Sequence, residues 1–103
     1  MIDGTGGGGS VKMLEKDPRT YIPETPGWNE ITHGLTQVPF VSLALGPCAG
    51  MGAGRVAASH FSVMVKELSQ VFVAGPPVAI ALGEDVTKEE LGGWKIQGQN
   101  GTV

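Results

Sequence analysis

The stretch LGPCAGMGAGRVAAS, residues 45–59, decides the fold of this chain. The apolar run FVSLALG at 40–46 leads into it and has the pattern of a buried strand. Four glycines then precede RVAAS at 55–59, which favours a helix. A strand, a glycine-rich turn and a helix N-terminus present unpaired backbone N–H groups that attract negative charge. The stretch therefore predicts a main-chain site for a phosphate or a substrate oxyanion, with close packing of helix against strand as the alternative role of its glycines.

The segments around this stretch predict an α/β fold. Thr25 and Pro26 suit the start of a helix over 26–37. FSVMVK and SQVFVAG, at 61–66 and 69–75, are typical of two strands joined as a hairpin, or of one strand and its bend.

The C-terminal part predicts two short helices. PPVAIAL at 76–82 begins with two prolines, as a helix often does. Thr87 and Glu90 have the spacing of a capping box, which predicts a second helix ending at the following glycines. The last ten residues predict a loop with an edge strand.

Length and composition limit the classes of protein. A chain of 103 residues holds at most one domain, and we expect a Gly-rich loop region over 1–23 before a domain over 24–103. A net charge of −3 with scattered basic residues excludes typical nucleic-acid binders. No stretch has the pattern of a membrane span or a signal peptide, and the single Cys48 excludes an internal disulfide. We therefore expect a soluble protein of a reducing intracellular compartment.

The opening stretch MIDGTGGGGSVK, residues 1–12, matches G-x-G-x-x-G through Gly4, Gly6 and Gly9. A nucleotide fingerprint needs a strand immediately before it and a helix immediately after it, and neither pattern is present. The phosphate-loop pattern also fails, because Ser10 stands where Lys is required. Taken locally, the stretch is typical of a Gly-Ser linker or, less well, of a nucleotide loop.

The side chains predict no catalytic cluster. Cys48 lies inside the glycine turn, but a catalytic thiol needs a base, and neither His33 nor His60 is placed beside it by a local pattern. We therefore expect a small buried thiol. One cysteine and two histidines give no zinc-ligand spacing, so no metal is predicted. Four carboxylates form a solvated acidic rim: Glu84, Asp85, Glu89 and Glu90.

Residues 38–93 resemble the carboxyltransferase β subunits of biotin-dependent acyl-CoA carboxylases, of the propionyl-CoA and methylcrotonyl-CoA type. Those proteins carry a turn like G-x-x-A-G-G, then F-x-x-M-V, S-x-x-F-x-x-G-P and E-E-L-G-G. The matching positions here are Gly46, Ala49, Gly50, Phe61, Met64, Val65, Ser69, Phe72, Gly75, Pro76 and EELGG at 89–93. More loosely, GTGGGGS at 4–10 stands where the family has a D-S-G-G-A-R loop.

The resemblance implies a crotonase-like (ClpP/crotonase) fold, in which ββα units stack into a superhelix and acyl-CoA binds at Gly-rich loops. In that family, main-chain amides hold the thioester enolate while a carboxyl group moves from N-carboxybiotin, which a partner domain carries. Transferred to this sequence, the oxyanion donors are the amides of Gly50 and Met51. The acyl-CoA loops are represented by Gly7, Gly8, Gly46 and Ala49.

The family pattern is not kept throughout. Met51 replaces a glycine, His60 replaces an aspartate, and GAGRVA at 52–57 replaces a segment that usually contains Tyr-Ser-Pro. These differences indicate a divergent subfamily. The resemblance also implies that residues 24–103 form only part of an N-terminal crotonase-like domain, without the biotin-binding half.

We therefore expect a carboxyltransferase fragment that is inactive alone. The parent family implies acyl-CoA as the substrate, a biotin carboxyl carrier and a biotin carboxylase as partners, and assembly into a homo-oligomer. It also implies that the protein is located in the cytoplasm or the mitochondrial matrix. The alternatives are a non-catalytic crotonase-like module that binds acyl-CoA or associates with intact subunits, and a linker fused to an unrelated α/β module. Deletion of residues 1–10 would leave the behaviour of the protein unchanged only if these residues are a linker fused to an unrelated module.

Overall fold

Strands and helices alternate along the chain in a mixed α/β arrangement. The computed structural model describes Gly4, Glu15, Lys16 and residues 27–103. The elements within 27–103 are α1 (Trp28–Gly34), β1 (Val41–Ala44), β2 (Pro47–Ala49), α2 (Met51–Ala57), β3 (Phe61–Met64), β4 (Gln70–Phe72), α3 (Pro76–Ala81), α4 (Lys88–Gly92) and α5 (Trp94–Gln99).

Two consecutive strand–strand–helix units, β1–β2–α2 and β3–β4–α3, form the centre of the fold. The equivalent strands of the two units pair in parallel, so that β1 lies beside β3 and β2 lies beside β4. Val41 is opposite Phe61 in the first sheet, and Cys48 is opposite Val71 in the second. The helix that parallel neighbours require between them is supplied by α2.

The predicted hairpin is wrong. β3 and β4 belong to different sheets, and the chain crosses between them through a turn at 66–68. Glu67 has a φ of 63° in this turn, and the Ser69 amide donates to the Val65 carbonyl. A short turn between two strands does not specify whether the second strand returns to the same sheet.

The core lies where α2 packs against both sheets. Its buried members are small: Ala44, Cys48, Ala53, Val56 and Val71, with Met64 and Val103 packed against them. Small residues on α2 allow its backbone to approach the strands closely. The result is a modest core centred on the glycine turn and its helix.

Several boundaries differ from the sequence-based prediction. α1 begins at Trp28, after Gly27 in a left-handed conformation, and ends at Gly34; Thr25 and Pro26 lie outside the described residues. After α1 the chain forms tight turns, in which the Thr36 amide donates to the His33 carbonyl. The glycine turn contains a short strand, β2, and the following helix begins at Met51, four residues before the RVAAS segment.

The C-terminal prediction is confirmed for α4 and wrong for the last ten residues. Thr87 and Glu90 form the predicted capping box at the start of α4. The segment predicted as loop and edge strand instead contains α5, which begins after Gly93. Gln97 accounts for the packing of α5, because its Nε2 donates to the Val71 carbonyl of β4 at 2.6 Å. None of the helices in the described part of the chain has both the length and the apolar character that a membrane-spanning helix requires.

Candidate functional site

The glycine turn connects β2 directly to α2. Gly50 has φ 55° and ψ −121°, a conformation open to glycine and rare for other residues. α2 then begins at Met51, so its first N–H groups lie at the end of β2. The predicted order of strand, glycine turn and helix N-terminus is therefore present in the fold.

The two amides predicted as oxyanion donors differ in their hydrogen bonding. The Gly50 N–H donates to the carbonyl of Val73 at 3.0 Å and to that of Phe72 at 3.2 Å. Both acceptors lie at the end of β4, so this bond ties the turn to the neighbouring strand. The Met51 N–H has no backbone acceptor among the residues that the structure describes. Of the two amides, the Met51 N–H is therefore the one without a backbone partner among the described residues.

The N-terminal segment contacts the glycine turn at Gly4. The Ala49 amide donates to the Gly4 carbonyl at 2.7 Å. A Cβ on Gly52 would lie 2.7 Å from the Gly4 Cα, and a Cβ on Gly4 would lie 3.2 Å from the Cys48 Sγ. The absence of side chains at both glycines is what permits this approach.

The structure describes two of the four predicted acyl-CoA positions. Gly7 and Gly8 lie outside the described residues. Gly46 lies in the bend between β1 and β2, where a Cβ would meet no described atom within 4 Å. Ala49 is half-buried at the end of β2, and its amide is already bonded to Gly4. Ala49, Gly50 and Met51 are thus consecutive at the end of β2, and Gly46 lies in the bend before that strand.

Cys48 is buried beneath the glycine turn, as the sequence predicts. Its thiol donates to the Gly46 carbonyl at 3.6 Å. Burial raises the pKa of this thiol, which keeps it protonated at neutral pH. A protonated thiol is a poor nucleophile, so the geometry supports a packing role for Cys48.

His60 anchors the beginning of β1, a role that the sequence did not reveal. The Phe40 amide donates to the His60 Nδ1 at 3.0 Å, and the His60 amide donates to the Phe40 carbonyl at 3.0 Å. These bonds join residues twenty positions apart, so no local pattern could have identified them. His33 is an exposed residue in the last turn of α1.

Two carboxylates of the predicted acidic rim, Glu89 and Glu90, accept hydrogen bonds that hold α4 in place. Gln70 Nε2 donates to Glu89 Oε1 at 2.5 Å, and the backbone and hydroxyl of Thr87 donate to Glu90 at 2.9 and 2.7 Å. The Thr87 hydrogen bonds, the backbone one foremost, lower the pKa of Glu90. In the part of the chain that is described, no group of three or more His, Cys, Asp or Glu residues could hold a metal ion.

A groove opens beside this rim, between α4, α5 and the turn before β4. It is lined by Lys66, Glu67, Glu89, Glu90, Trp94, Lys95 and Ile96. The Lys66 ammonium lies 4.6 Å from the centre of the Trp94 ring, in cation–π contact. The described residues of the predicted main-chain site, Gly46, Ala49, Gly50 and Met51, do not line this groove.

Comparison with known sequences identifies one family. Residues 28–103 match the model of the carboxyl transferase domain. The mitochondrial propionyl-CoA carboxylase beta chain of Homo sapiens is 48% identical over 59 residues, which cover 56% of this chain and 11% of that protein. The methylmalonyl-CoA decarboxylase subunit alpha of Veillonella parvula is 43% identical over 65 residues, which cover 62% of this chain and 13% of that protein.

Two solved structures also resemble this fold. The transcarboxylase 12S hexamer, solved with hydrolysed methylmalonyl-coenzyme A, aligns over 58% of this chain and 12% of its own, with a TM-score of 0.54 and 38% identity. The beta subunit of geranyl-CoA carboxylase from P. aeruginosa aligns over 76% of this chain and 18% of its own, with a TM-score of 0.57 and 29% identity.

The match therefore covers most of the described residues but a small part of each relative. This chain spans 11% of the human relative and 13% of the one from Veillonella. The family model nevertheless matches residues 28–103, the part that contains both strand–strand–helix units and the glycine turn. On this match, together with the sequence motifs and the α/β arrangement of parallel strands, the chain belongs to the carboxyl transferase domain family.

Proposed function

We propose that this chain forms part of the acyl-CoA side of a carboxyltransferase, which moves a carboxyl group from N-carboxybiotin to an acyl-CoA. Family membership and the carboxylase relatives support this function. The hydrogen bond from the Ala49 amide to the Gly4 carbonyl carries the proposal, because it brings the N-terminal glycine segment to the glycine turn. Gly4, the first residue of the GTGGGGS segment, is thus held at the glycine turn.

The fold supports the same proposal. Two ββα units with equivalent strands paired in parallel are what two turns of a crotonase-like superhelix require. We assign residues 24–103 to part of such a domain and 1–23 to a glycine-rich loop region. The contact at Gly4 favours a loop that forms part of the site over the alternative of a Gly-Ser linker.

Met51 is the first donor of the proposed oxyanion site. When an acyl-CoA thioester becomes an enolate, negative charge collects on its carbonyl oxygen, and a main-chain N–H aimed at that oxygen lowers the barrier. Loss of one such donor typically costs about 10²–10³ in rate. The Met51 amide stands at the start of α2, where the helix dipole adds to the attraction. Gly50 becomes a second donor only when its N–H gives up its hydrogen bonds to the Val73 and Phe72 carbonyls.

The other predicted acyl-CoA positions have distinct proposed roles. Gly7 and Gly8 follow Gly4 by three and four residues, and we propose that their amides belong to the loop that faces the CoA thioester. Gly46 leaves open space in its bend, which suits a ligand passing close to the backbone. Ala49 acts by positioning, since its amide holds Gly4.

Ala49, Met51, Phe72 and Val73, which adjoin Gly50 in sequence or through its hydrogen bonds, have apolar side chains and offer no side-chain hydrogen bond to the ureido ring of biotin. We assign none of the described residues to biotin. Carboxybiotin would arrive on a biotin carboxyl carrier served by a biotin carboxylase component, and this chain alone would transfer no carboxyl group.

The whole enzyme would be a homo-oligomer, as the hexamer of transcarboxylase 12S is. The enzyme would be located in the cytoplasm or, as for the human relative, in mitochondria. Both assignments depend on the family alone, because the chain covers little of each relative's length.

The donor role of Met51 is tested by titrating propionyl-CoA into the chain and following binding heat and amide NMR shifts. Met51→Pro removes the N–H, and proline is tolerated at the first position of a helix. Met51→Ala keeps the N–H and is the matched control. We expect Pro to weaken binding about tenfold, the effect of losing one hydrogen bond worth about 1.4 kcal/mol. Equal affinity in the two variants would contradict the donor role.

A second pair of variants tests the contact with the N-terminal segment. Gly52→Ala places a Cβ against Gly4, whereas Gly54→Ala lies on the same helix and meets no described atom within 4 Å. We expect propionyl-CoA binding to weaken in the first variant and to stay unchanged in the second. If both bind as the parent chain does, the N-terminal segment is not part of the acyl-CoA site.

One observation favours the alternative of a non-catalytic acyl-CoA-binding module. The Gly50 amide is already bonded to the end of β4, which leaves one of the two proposed donors available in the described residues. Such a module would bind propionyl-CoA without supporting the reaction. Incubation with free N-carboxybiotin ester and propionyl-CoA should give no methylmalonyl-CoA in either case; product formed by the chain alone would exclude this alternative and also contradict the expected inactivity of the isolated chain.

A further inference from the structure

Two exposed apolar side chains flank the amide of Gly50. Met51 follows Gly50 in the chain and is 43% exposed. Val73, whose carbonyl accepts from the Gly50 amide at 3.0 Å, is 88% exposed. Neither side chain belongs to the buried cluster between α2 and the two sheets. The core packing of the described residues therefore does not account for an apolar residue at either position.

The space beside Gly50 is open in the described part of the chain. Apart from its chain neighbours, a Cβ built on Gly50 would have a single described atom within 4 Å, the Val73 carbonyl oxygen at 3.8 Å. Met51 and Val73 thus border a space that no described side chain fills. This space adjoins the amides that the proposed function assigns to the thioester oxygen.

The N-terminal segment lies on a different side of α2. Gly52 lies against the Gly4 backbone, where a Cβ would be 2.7 Å from the Gly4 Cα. Successive residues of a helix are rotated by about 100°, so the Met51 side chain leaves α2 in a different direction from this contact. The loop that begins at Gly4 is proposed to face the CoA thioester. The side of Met51 is therefore left to the acyl group.

We propose that Met51 and Val73 form walls of the acyl pocket, and that the Met51 side chain restricts this pocket to short apolar acyl chains. The inference rests on the proposed function, in which the Met51 amide donates to the thioester carbonyl oxygen. The Met51 side chain starts at the Cα next to that amide, so it lies within contact distance of a thioester bound there. Neither wall carries a hydrogen-bond donor, and the pocket therefore favours a hydrocarbon chain over a polar one.

The length of the side chain at position 51 sets the room for the acyl chain. The glycine of the family pattern would leave this space free, whereas methionine occupies part of it. Methionine is unbranched and adapts to its surroundings, so it narrows the pocket without closing it. Alanine lacks the Cγ, Sδ and Cε of methionine. A hexanoyl group is longer than a propionyl group by the same number of heavy atoms, which makes these two acyl chains a matched pair of probes.

The test is calorimetric titration of the chain with propionyl-CoA and with hexanoyl-CoA. The parent chain should bind hexanoyl-CoA no more tightly than propionyl-CoA. Met51→Ala should shift the ratio of the two dissociation constants at least tenfold in favour of hexanoyl-CoA, less than full burial of the added methylene groups would supply. Met51→Leu keeps a side chain of similar volume and should retain the parent ratio. Leu82→Ala, at an 80% exposed residue after α3, is the matched control for loss of an exposed apolar side chain.

Methyl NMR of the parent chain tests the contact without any substitution. The Met51 ε-methyl and the Val73 methyl resonances should shift more with propionyl-CoA than with free coenzyme A. Free coenzyme A has the same nucleotide and pantetheine arm but no acyl group, so the difference reports the acyl chain alone. Equal shifts with the two compounds would overturn the inference.

The outcomes separate this inference from the proposed function. If Met51→Ala binds propionyl-CoA but keeps the parent ratio, the restriction by Met51 is wrong and the proposed function stands. An equal gain for hexanoyl-CoA in Met51→Leu or in Leu82→Ala also overturns the restriction. If neither acyl-CoA binds to the parent chain, the proposed function fails and this inference fails with it.

Discussion

The two parallel sheets of this chain have similar strands and opposite surroundings. All three residues of β4 are buried, with Val71 at 3% and Phe72 at 8% exposure. β1 and β3 contain more apolar residues, yet Val41 and Phe61 remain 60% and 63% exposed. The difference shows that burial here depends on which helices cover a sheet rather than on how apolar its strands are.

The cover of the β2–β4 sheet depends on close approach by α4 and α5. Gly92, in the last turn of α4, lies directly against β4, where a Cβ would be 2.9 Å from the Val71 carbonyl carbon. Gln97 of α5 donates to the same Val71 carbonyl group. No described helix approaches in this way the face of the β1–β3 sheet that carries Val41 and Phe61.

The largest effect is expected from Gly92→Ala, which would separate α4 from β4. The added Cβ would also lie 3.0 Å from the Phe72 Cδ1, and neither backbone nor ring has room to move far. We expect a loss of about 3 kcal/mol in the free energy of unfolding, the upper range for overpacking. Urea denaturation measures this loss.

The control for that substitution is Gly98→Ala in α5. A Cβ there meets no described atom within 4 Å, and alanine is favoured over glycine inside a helix by about 1 kcal/mol. The control should therefore be neutral or more stable. Equal losses in both variants would mean that close approach of α4 does not cover the β2–β4 sheet.

A smaller effect is expected when one apolar residue is shortened in each sheet. Val71→Ala removes two methyl groups from a buried position and should cost about 2 kcal/mol. Leu43→Ala alters a residue that is 61% exposed and should cost less than about 0.5 kcal/mol. Both are measured by urea denaturation. Comparable losses would contradict the contrast between the sheets.

The smallest effect is expected from Thr87→Ala, which removes the cap of the covering helix α4. The Thr87 hydroxyl accepts from the Glu90 amide, and loss of such a cap costs about 1 kcal/mol. Thr36→Ala, at an exposed hydroxyl that donates to the His33 carbonyl, should change stability by less than about 0.5 kcal/mol. Thermal unfolding of the three proteins, followed by circular dichroism, gives the comparison.

The same cap makes stability depend on acidic pH. Hydrogen bonds from Thr87 hold the pKa of Glu90 below its usual value of 4.5 in the folded chain. The stabilisation is therefore complete above pH 4.5 and is lost as the pH falls through the lower folded value. Glu90→Gln should remove this part of the pH dependence. A variant with the unchanged acid profile would show that Glu90 does not contribute.

Local patterns were sufficient for the features whose partners are close in sequence. The capping box of α4 involves residues three positions apart, and the strand, turn and helix around Gly50 follow one another directly. Each depends on backbone preferences and hydrogen bonds within a few residues. The family motifs lie in the same continuous segment, which is why the resemblance to carboxyltransferases could be found before any fold was known.

Long-range features required the fold. The parallel pairing of Val41 with Phe61 and the bond from Phe40 to His60 join residues twenty positions apart, and no local signal specifies them. The helix α5 was missed because its packing depends on Gln97 reaching β4. In each case a distant backbone group decides the outcome.

The sequence by itself therefore determined the family, the glycine turn and the order of most elements, because these depend on neighbouring residues. Only the tertiary structure decided that Gly4 reaches Ala49, that the Gly50 amide is engaged by β4, and that one sheet is covered while the other is not. Those facts depend on close approach between segments far apart in the chain, where a missing Cβ or one carbonyl group sets the distance.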